Sequence, residues 1–207
     1  MSEVTGQIER YGEMNYLRGF IPWIVFAIVS GFSWQWAAAL GLAGSVGLLV
    51  QARMKKIPLD SQILEISTLV YFGVLTGLAF SQPHSGLHGY TGAMSMGWLA
   101  LTAFGGIAIA RPFTLGIAKL QTPKELWDTP VFKRVNYVIT TVWAVAFLIT
   151  AIVLAILDVN HASETVAIIV QVAGFVVPAL FTRTYPQRVR ARYADRIANL
   201  PNASQES

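Results

Sequence analysis

His84, His88 and His161 are the chain's three histidines, and Asp158 and Glu164 lie near the last of them in sequence. Imidazoles and carboxylates together can bind a divalent metal or sense pH, and the four-residue step from His84 to His88 would place two imidazoles on one helical face. Pro83 can open such a helix, but with Gly86 it also favours a turn, and exposed loop histidines are the competing reading. Glu65 is the one ionisable side chain inside an apolar stretch. It is either a proton or cation site, or a carboxylate that snorkels or pairs near Arg53, Lys56 or Arg111. Gln171, flanked by Gly174 and the helix-kinking Pro178, is expected to make an interhelical hydrogen bond. No G-x-S-x-G elbow occurs, Gly105-Gly106 lacks the surroundings of a phosphate loop, and no cysteine is present as nucleophile or thiolate ligand. These residues point away from an enzyme and from a resident cofactor.

The elements that must hold them are membrane helices. Of 207 residues, 54% are hydrophobic and 13% charged, with mean hydropathy +0.53; ordinary globular chains carry about 25% charged residues. A pI near 9.5 would suit nucleic-acid binding, but the distribution of charge argues against it. All fifteen Lys and Arg fall into four clusters, leaving 19–52, 57–110 and 135–182 without a basic residue. A crossing needs about 20 apolar residues, so each interval can cross and return. Turn signals stand near their middles, at Gly31-Phe32-Ser33, 81–86 and 158–163. The reading is an all-α polytopic bundle of six spans in three hairpins, at 19–33, 34–52, 62–80, 91–110, 136–157 and 164–182. The first is short enough for a half-crossing or a strong tilt. The positive-inside rule places segment 1–18, loop 111–135 and tail 183–207 in the cytoplasm and every histidine outside. The first residues include acids and no short apolar core, so no cleavable signal is expected.

The central loop carries Arg111, Lys119, Lys124, Lys133 and Arg134. Arg111-Pro112 stops the preceding helix. Thr122-Pro123-Lys124-Glu125 has the form of a capping box, and Asp128-Thr129-Pro130 offers an N-cap for a helix running through Asn136. Phe113, Leu126, Trp127 and Phe132 supply apolar anchors. In the tail, Val189, Tyr193, Ile197 and Leu200 follow helical spacing beside a stripe of Arg188, Arg192 and Arg196. That pattern suits an amphipathic helix on the inner leaflet, with a solvated, partly disordered tail as the competing view. Arg111, Trp127, Lys133, Arg134, Arg188, Arg192 and Arg196 are therefore the expected contacts for anionic lipid or a partner's acidic surface. Small residues at Ala39, Ala43 and Gly47, at Gly73 and Gly77, and at Ala93 and Gly97 are expected to pack helices closely or to support a homo-oligomer. Gly47 and Gly105 each precede an arginine by six residues, a weak sign of repetition that the third unit, ending at Arg183, lacks.

Phe20-Ile21-Pro22-Trp23-Ile24-Val25-Phe26, the basic turn at 53–56 with Phe72-Gly73-Val74-Leu75-Thr76-Gly77-Leu78, and Arg111-Pro112-Phe113 form one set of motifs. Trp127, Pro130, Phe132, Asn136 and Trp143-Ala144-Val145-Ala146-Phe147 extend it. Over roughly residues 18–155 this set resembles the intracellular septation protein A family of bacterial inner-membrane proteins. The interval from Asn136 to Trp143 is about one helical turn longer than in that family, the outer histidine loop departs from its pattern, and the basic tail is extended. The resemblance implies a non-enzymatic, multi-pass protein of the inner membrane that maintains the cell envelope with division or wall-elongation proteins. It offers no catalytic residues. A lipid- and partner-binding scaffold is the leading expectation. A small transporter or channel is the alternative, and a membrane enzyme using the outer histidines is a third; neither nucleic acid nor a cofactor is expected.

Overall fold

A computed structural model describes residues 18–120 and 122–198, apart from the side chains of residues 60, 190 and 193–198; every regular element among them is helical. The helices are α1 (Ile21–Val29), α2 (Trp34–Met54), α3 (Ile63–Ser81), α4 (Thr91–Ala108), α5 (Phe113–Lys119), α6 (Pro130–Val159) and α7 (Glu164–Ala198). Short 3-10 turns lie at Leu59–Ser61, Gly86–Tyr90 and Lys124–Leu126. Four of the described helices, α2, α3, α6 and α7, are long and apolar enough to cross a membrane. A fifth crossing is reached if α4, with the turn before it, is joined to α5 as one span bent by 75°.

The expected six spans are thus four or five, and the correction falls on the first. With nine residues, α1 rises about 14 Å, against a hydrocarbon core of about 30 Å. It is a half-length helix buried along one face. Pro22 sits in its first turn, where a missing N–H costs nothing. Its neighbours on α3 keep step with it: Gly19 lies against Leu64, Trp23 Nε1 donates to Thr68 Oγ1 at 3.0 Å, and Phe26 packs on Phe72. The offset is near 45 residues throughout, so α1 runs parallel to the first half of α3 while α2 returns between them in sequence. Phe20, Trp23 and Phe26 are each at most 2% exposed, and they face inward because apolar residues three apart share a helical face.

Pairing departs from three sequential hairpins. The closest partner of α4 is α6, whereas α3 and α4 stand farther apart. Small buried residues stand on both of the close helices, Ala100, Ala103 and Gly106 on α4 and Thr140, Ala144 and Ala151 on α6, which lets their backbones approach. Between α3 and α4, by contrast, large side chains bridge the gap. Tyr71 Oη and Ser95 Oγ are 2.9 Å apart, and Trp98 Nε1 donates to Ser67 Oγ at 2.9 Å. Gly47, Gly73, Gly77 and Gly97, expected as packing positions, meet nothing within 4 Å where a Cβ would stand. Among the glycines in close contact are Gly41 against Phe72, Gly174 against Thr150, and Gly106 against the Arg111 carbonyl.

Three helices close in the same way. Lys56, Ala110 and His161 have φ of 52°, 57° and 51°, and the next residue's N–H reaches back five residues in each case. Ile57 donates to the Ala52 carbonyl at 3.0 Å, Arg111 to Gly106 at 2.7 Å, and Ala162 to Leu157 at 3.0 Å. This closure normally takes glycine at the left-handed position. A Cβ there costs about 1 kcal/mol, so Ala110→Gly is expected to raise stability by about 0.5–1 kcal/mol. Unfolding of the purified protein in mixed micelles measures this, and a lowered midpoint would contradict it.

Pro130 opens α6 behind Thr129, whose Oγ1 accepts from Phe132 N at 3.3 Å, as the sequence suggested. The capping box at Thr122 does not form: Pro123 takes the cap position of a 3-10 turn and no side chain caps it. In α7 the helix continues through Pro178 and Pro186 as far as Ala198. Residues 183–198 therefore prolong the last helix instead of forming a separate one, and Arg183 is a mid-helix residue. Leu200 and the side chains of Tyr193, Arg196 and Ile197 lie outside the described residues.

Candidate functional site

One end of the bundle collects the basic clusters. Arg18 ahead of α1, Lys55 after α2, and Ile117 and Leu120 at α5 line a common cavity, while the loop after α5 and the far half of α7 line a second one. The charge sorting read from the sequence is thus matched by a spatial grouping.

The first cavity encloses about 200 Å³ and is lined by Arg18, Lys55, Ser61, Gln62 and Glu65 with apolar neighbours. Gln62, just before α3, is 1% exposed. Its Nε2 donates to the Ile57 carbonyl at 2.6 Å and the Pro58 carbonyl at 3.3 Å, so those two acceptors fix which end of the amide points where. Gln62 Oε1 and Glu65 Oε2 are both buried without a hydrogen-bond partner. The expected neighbours of Glu65 were Arg53, Lys56 or Arg111; the cations that share its cavity are Arg18 and Lys55.

The second cavity is a cleft of about 500 Å³ between α5, the loop, α6 and α7. Ala118, Leu126, Val131, Phe132, Val135, Ile139, Pro186 and Val189 give it a mainly apolar wall, broken by Thr122, Thr129, Asn136 and Thr182. Asn136 is 2% exposed; its Nδ2 donates to the Phe132 carbonyl at 2.9 Å, and its Oδ1 is buried and unpaired. Thr182 is tied down, accepting from Trp143 Nε1 at 2.8 Å and donating to the Pro178 carbonyl at 2.8 Å.

Around the cleft lie most of the residues expected to bind lipid or a partner. Lys133 and Arg134 are exposed on the first turn of α6, and Arg188 and Arg192 are exposed on α7. Lys133 Nζ meets Asp128 Oδ1 at 2.9 Å, and that hydrogen bond and charge hold the exposed Asp128 carboxyl below the usual carboxylate range. Trp127 is half-buried, donates Nε1 to the Thr122 carbonyl at 2.8 Å, and carries Lys119 Nζ 5.3 Å from its ring centroid. Arg111 is exposed at the α4–α5 bend. Phe113 is a correction. It is 4% exposed and packs edge-on against Phe20 and Trp143, so it is core and not a leaflet anchor.

At the opposite end His84, His88 and His161 are all exposed. His88 stands edge-on to Trp34 at 6.1 Å, and Gly86–Tyr90 is a 3-10 turn, so the four-residue step does not present two imidazoles on an α-helical face. Among the described residues no group of three or more His, Cys, Asp or Glu side chains could hold a metal ion. Gln171 lies against Gly92 of α4, its Oε1 3.6 Å from where a Cβ would stand, and makes no interhelical hydrogen bond among the described residues. Gln62, Lys55 and Arg18 went unremarked in the sequence as site residues. Their signal was the pair Gln62-x-x-Glu65, two polar side chains one turn apart at the mouth of an apolar run. The chain matches no family model, no curated protein and no solved structure.

Proposed function

We propose that the chain is a non-enzymatic membrane scaffold whose basic end binds anionic lipid, with an acyl chain seated in the cleft between α5, α6 and α7. In this reading that end faces the cytoplasm, the membrane is the bacterial inner membrane, and the scaffold serves envelope maintenance or septation beside division or wall-elongation proteins. The family resemblance is what suggests the cellular role. The observation that carries lipid binding is the cleft itself, about 500 Å³ with mainly apolar walls, with exposed Lys133, Arg134 and Arg188 on the turns that form it. Pockets of roughly 300–1,000 Å³ with a few convergent polar groups suit a ligand of this kind. Each basic residue at an anionic surface adds about 1 kcal/mol, screened by salt.

Spin-labelled phosphatidylglycerol and phosphatidylcholine in reconstituted vesicles test it. Phosphatidylglycerol is expected to be held several-fold more strongly at low salt, with the preference falling toward unity in the triple variant K133Q/R134Q/R188Q. Ile139→Trp, which fills the cleft, should lower the number of immobilised lipids for both headgroups. Equal retention of the two lipids by the unaltered protein would overturn the reading.

A small transporter or channel is favoured by one observation, the presence of a half-length α1 and a 75° break between α4 and α5. Discontinuous helices often line transport sites. Flux through proteoliposomes separates it from a scaffold.

A further inference from the structure

The first cavity has an unusual polar inventory. Gln62 and Glu65 line it, and among the described residues the acceptor oxygens Gln62 Oε1 and Glu65 Oε2 are buried without donors. Turning the Gln62 amide over does not relieve this, since Oε1 would then face the carbonyls of Ile57 and Pro58. Burying such groups unpaired forfeits their hydrogen bonds to water, so a donor-rich occupant is favoured. Arg18 and Lys55 line the same space, yet neither supplies a hydrogen bond to Glu65 Oε2 or Gln62 Oε1.

The chemistry of an occupant follows from these four side chains. A bare metal ion is poorly served, because two oxygens and two cations make a weak ligand set. An ammonium group has three donors and no acceptor, which matches two acceptors lacking donors. Arg18 and Lys55 in turn suit a phosphate or carboxylate. We propose that this cavity binds a small zwitterion carrying a primary ammonium. The ammonium donates to Gln62 Oε1 and Glu65 Oε2, and the anionic group meets Arg18 and Lys55. A volume of about 200 Å³ admits a group the size of phosphoethanolamine but not an acyl chain. The ligand is either an ethanolamine phospholipid headgroup entering from the leaflet or a free amino-acid-like molecule. The site shares no lining residue with the cleft of the proposed scaffold function, so either can fail alone.

The test uses the whole protein in phosphatidylcholine nanodiscs, with thermal unfolding as the readout. O-phosphoethanolamine, or replacement of part of the lipid by phosphatidylethanolamine, is expected to raise the melting temperature. Phosphocholine, whose trimethylated nitrogen cannot donate, is expected to leave it unchanged. Response to the lipid alone assigns the headgroup, and response to the soluble compound alone assigns a free ligand; either supports the site. Glu65→Gln should weaken binding tenfold or more, because a charge-assisted hydrogen bond becomes a neutral one. Lys55→Gln, at an exposed position, should weaken phosphoethanolamine but not ethanolamine. Equal stabilisation by phosphocholine, no stabilisation by either primary-ammonium probe, or unchanged affinity in Glu65→Gln would each overturn the proposal and leave the cavity to water.

Discussion

Phe20→Ala is expected to lower the stability of the folded bundle by about 3 kcal/mol or more. Phe20 is 1% exposed and precedes the shortest of the apolar helices. Its ring stacks on Trp143 at 4.8 Å and 10°, and stands edge-on to Phe147 at 6.0 Å and Phe175 at 5.5 Å. With Phe113 at 6.4 Å, it joins α5, α6 and α7 around one side chain. Within a bilayer such packing carries helix association, because lipid is as apolar as the side chains themselves. Phe20→Leu should lose less, and Ile21→Ala, at a position 48% exposed, should change little. Unfolding from mixed micelles provides the scale, and a loss for Phe20→Ala no greater than for Ile21→Ala would mean that α1 is not seated in the core.

Gly106→Ala is expected to cost about 2 kcal/mol or more, while its neighbour Gly105→Ala is neutral or stabilises by up to about 1 kcal/mol through helix propensity. The two glycines are adjacent in α4 but see different surroundings. A Cβ at Gly106 would stand 2.9 Å from the Arg111 carbonyl oxygen and 3.6 Å from Pro112 Cα and Phe113 N, whereas a Cβ at Gly105 meets nothing. Backbone atoms cannot rotate aside, so the bend into α5 has to open. Opening it draws Phe113 from the aromatic cluster and Thr114 Oγ1 from its partners, the Asn136 carbonyl at 2.9 Å and Thr140 Oγ1 at 2.6 Å. The double variant with Phe20→Ala should lose less than the sum, because both substitutions loosen Phe113. Equal losses at Gly105 and Gly106 would refute the assignment of the bend.

How much of this was legible depended on which property each residue type reports. Basic residues report position along the membrane normal, so their spacing was enough to group Arg18, Lys55, the loop and the far half of α7 at one end. Thr129-Pro130 was readable because capping is a local interaction. The shortness of α1 was legible as well, but its seat was not: residues 19–33 are apolar whether they cross lipid or pack against other helices, and composition does not separate the two environments. Gly73 and Gly77 share a face by spacing alone, but spacing cannot say whether that face meets a helix or open space. Phe113 was read as an anchor because the charges around it mask the buried face of α5. The polar cavity stayed hidden for a related reason, since Gln62 and Lys55 come from opposite sides of one turn and meet Arg18 only through the tertiary fold.

The seat of Phe20 also sets an order of assembly. Its walls come from residues 113, 143, 147 and 175, so the seat is incomplete until a ribosome has passed the first third of α7. A helix of nine residues is too short to be held by a bilayer on its own. Of the described helices, the one synthesised first can pair with α3 through Trp23 and Phe26 early, yet its Phe20 contacts close only when the last helix arrives.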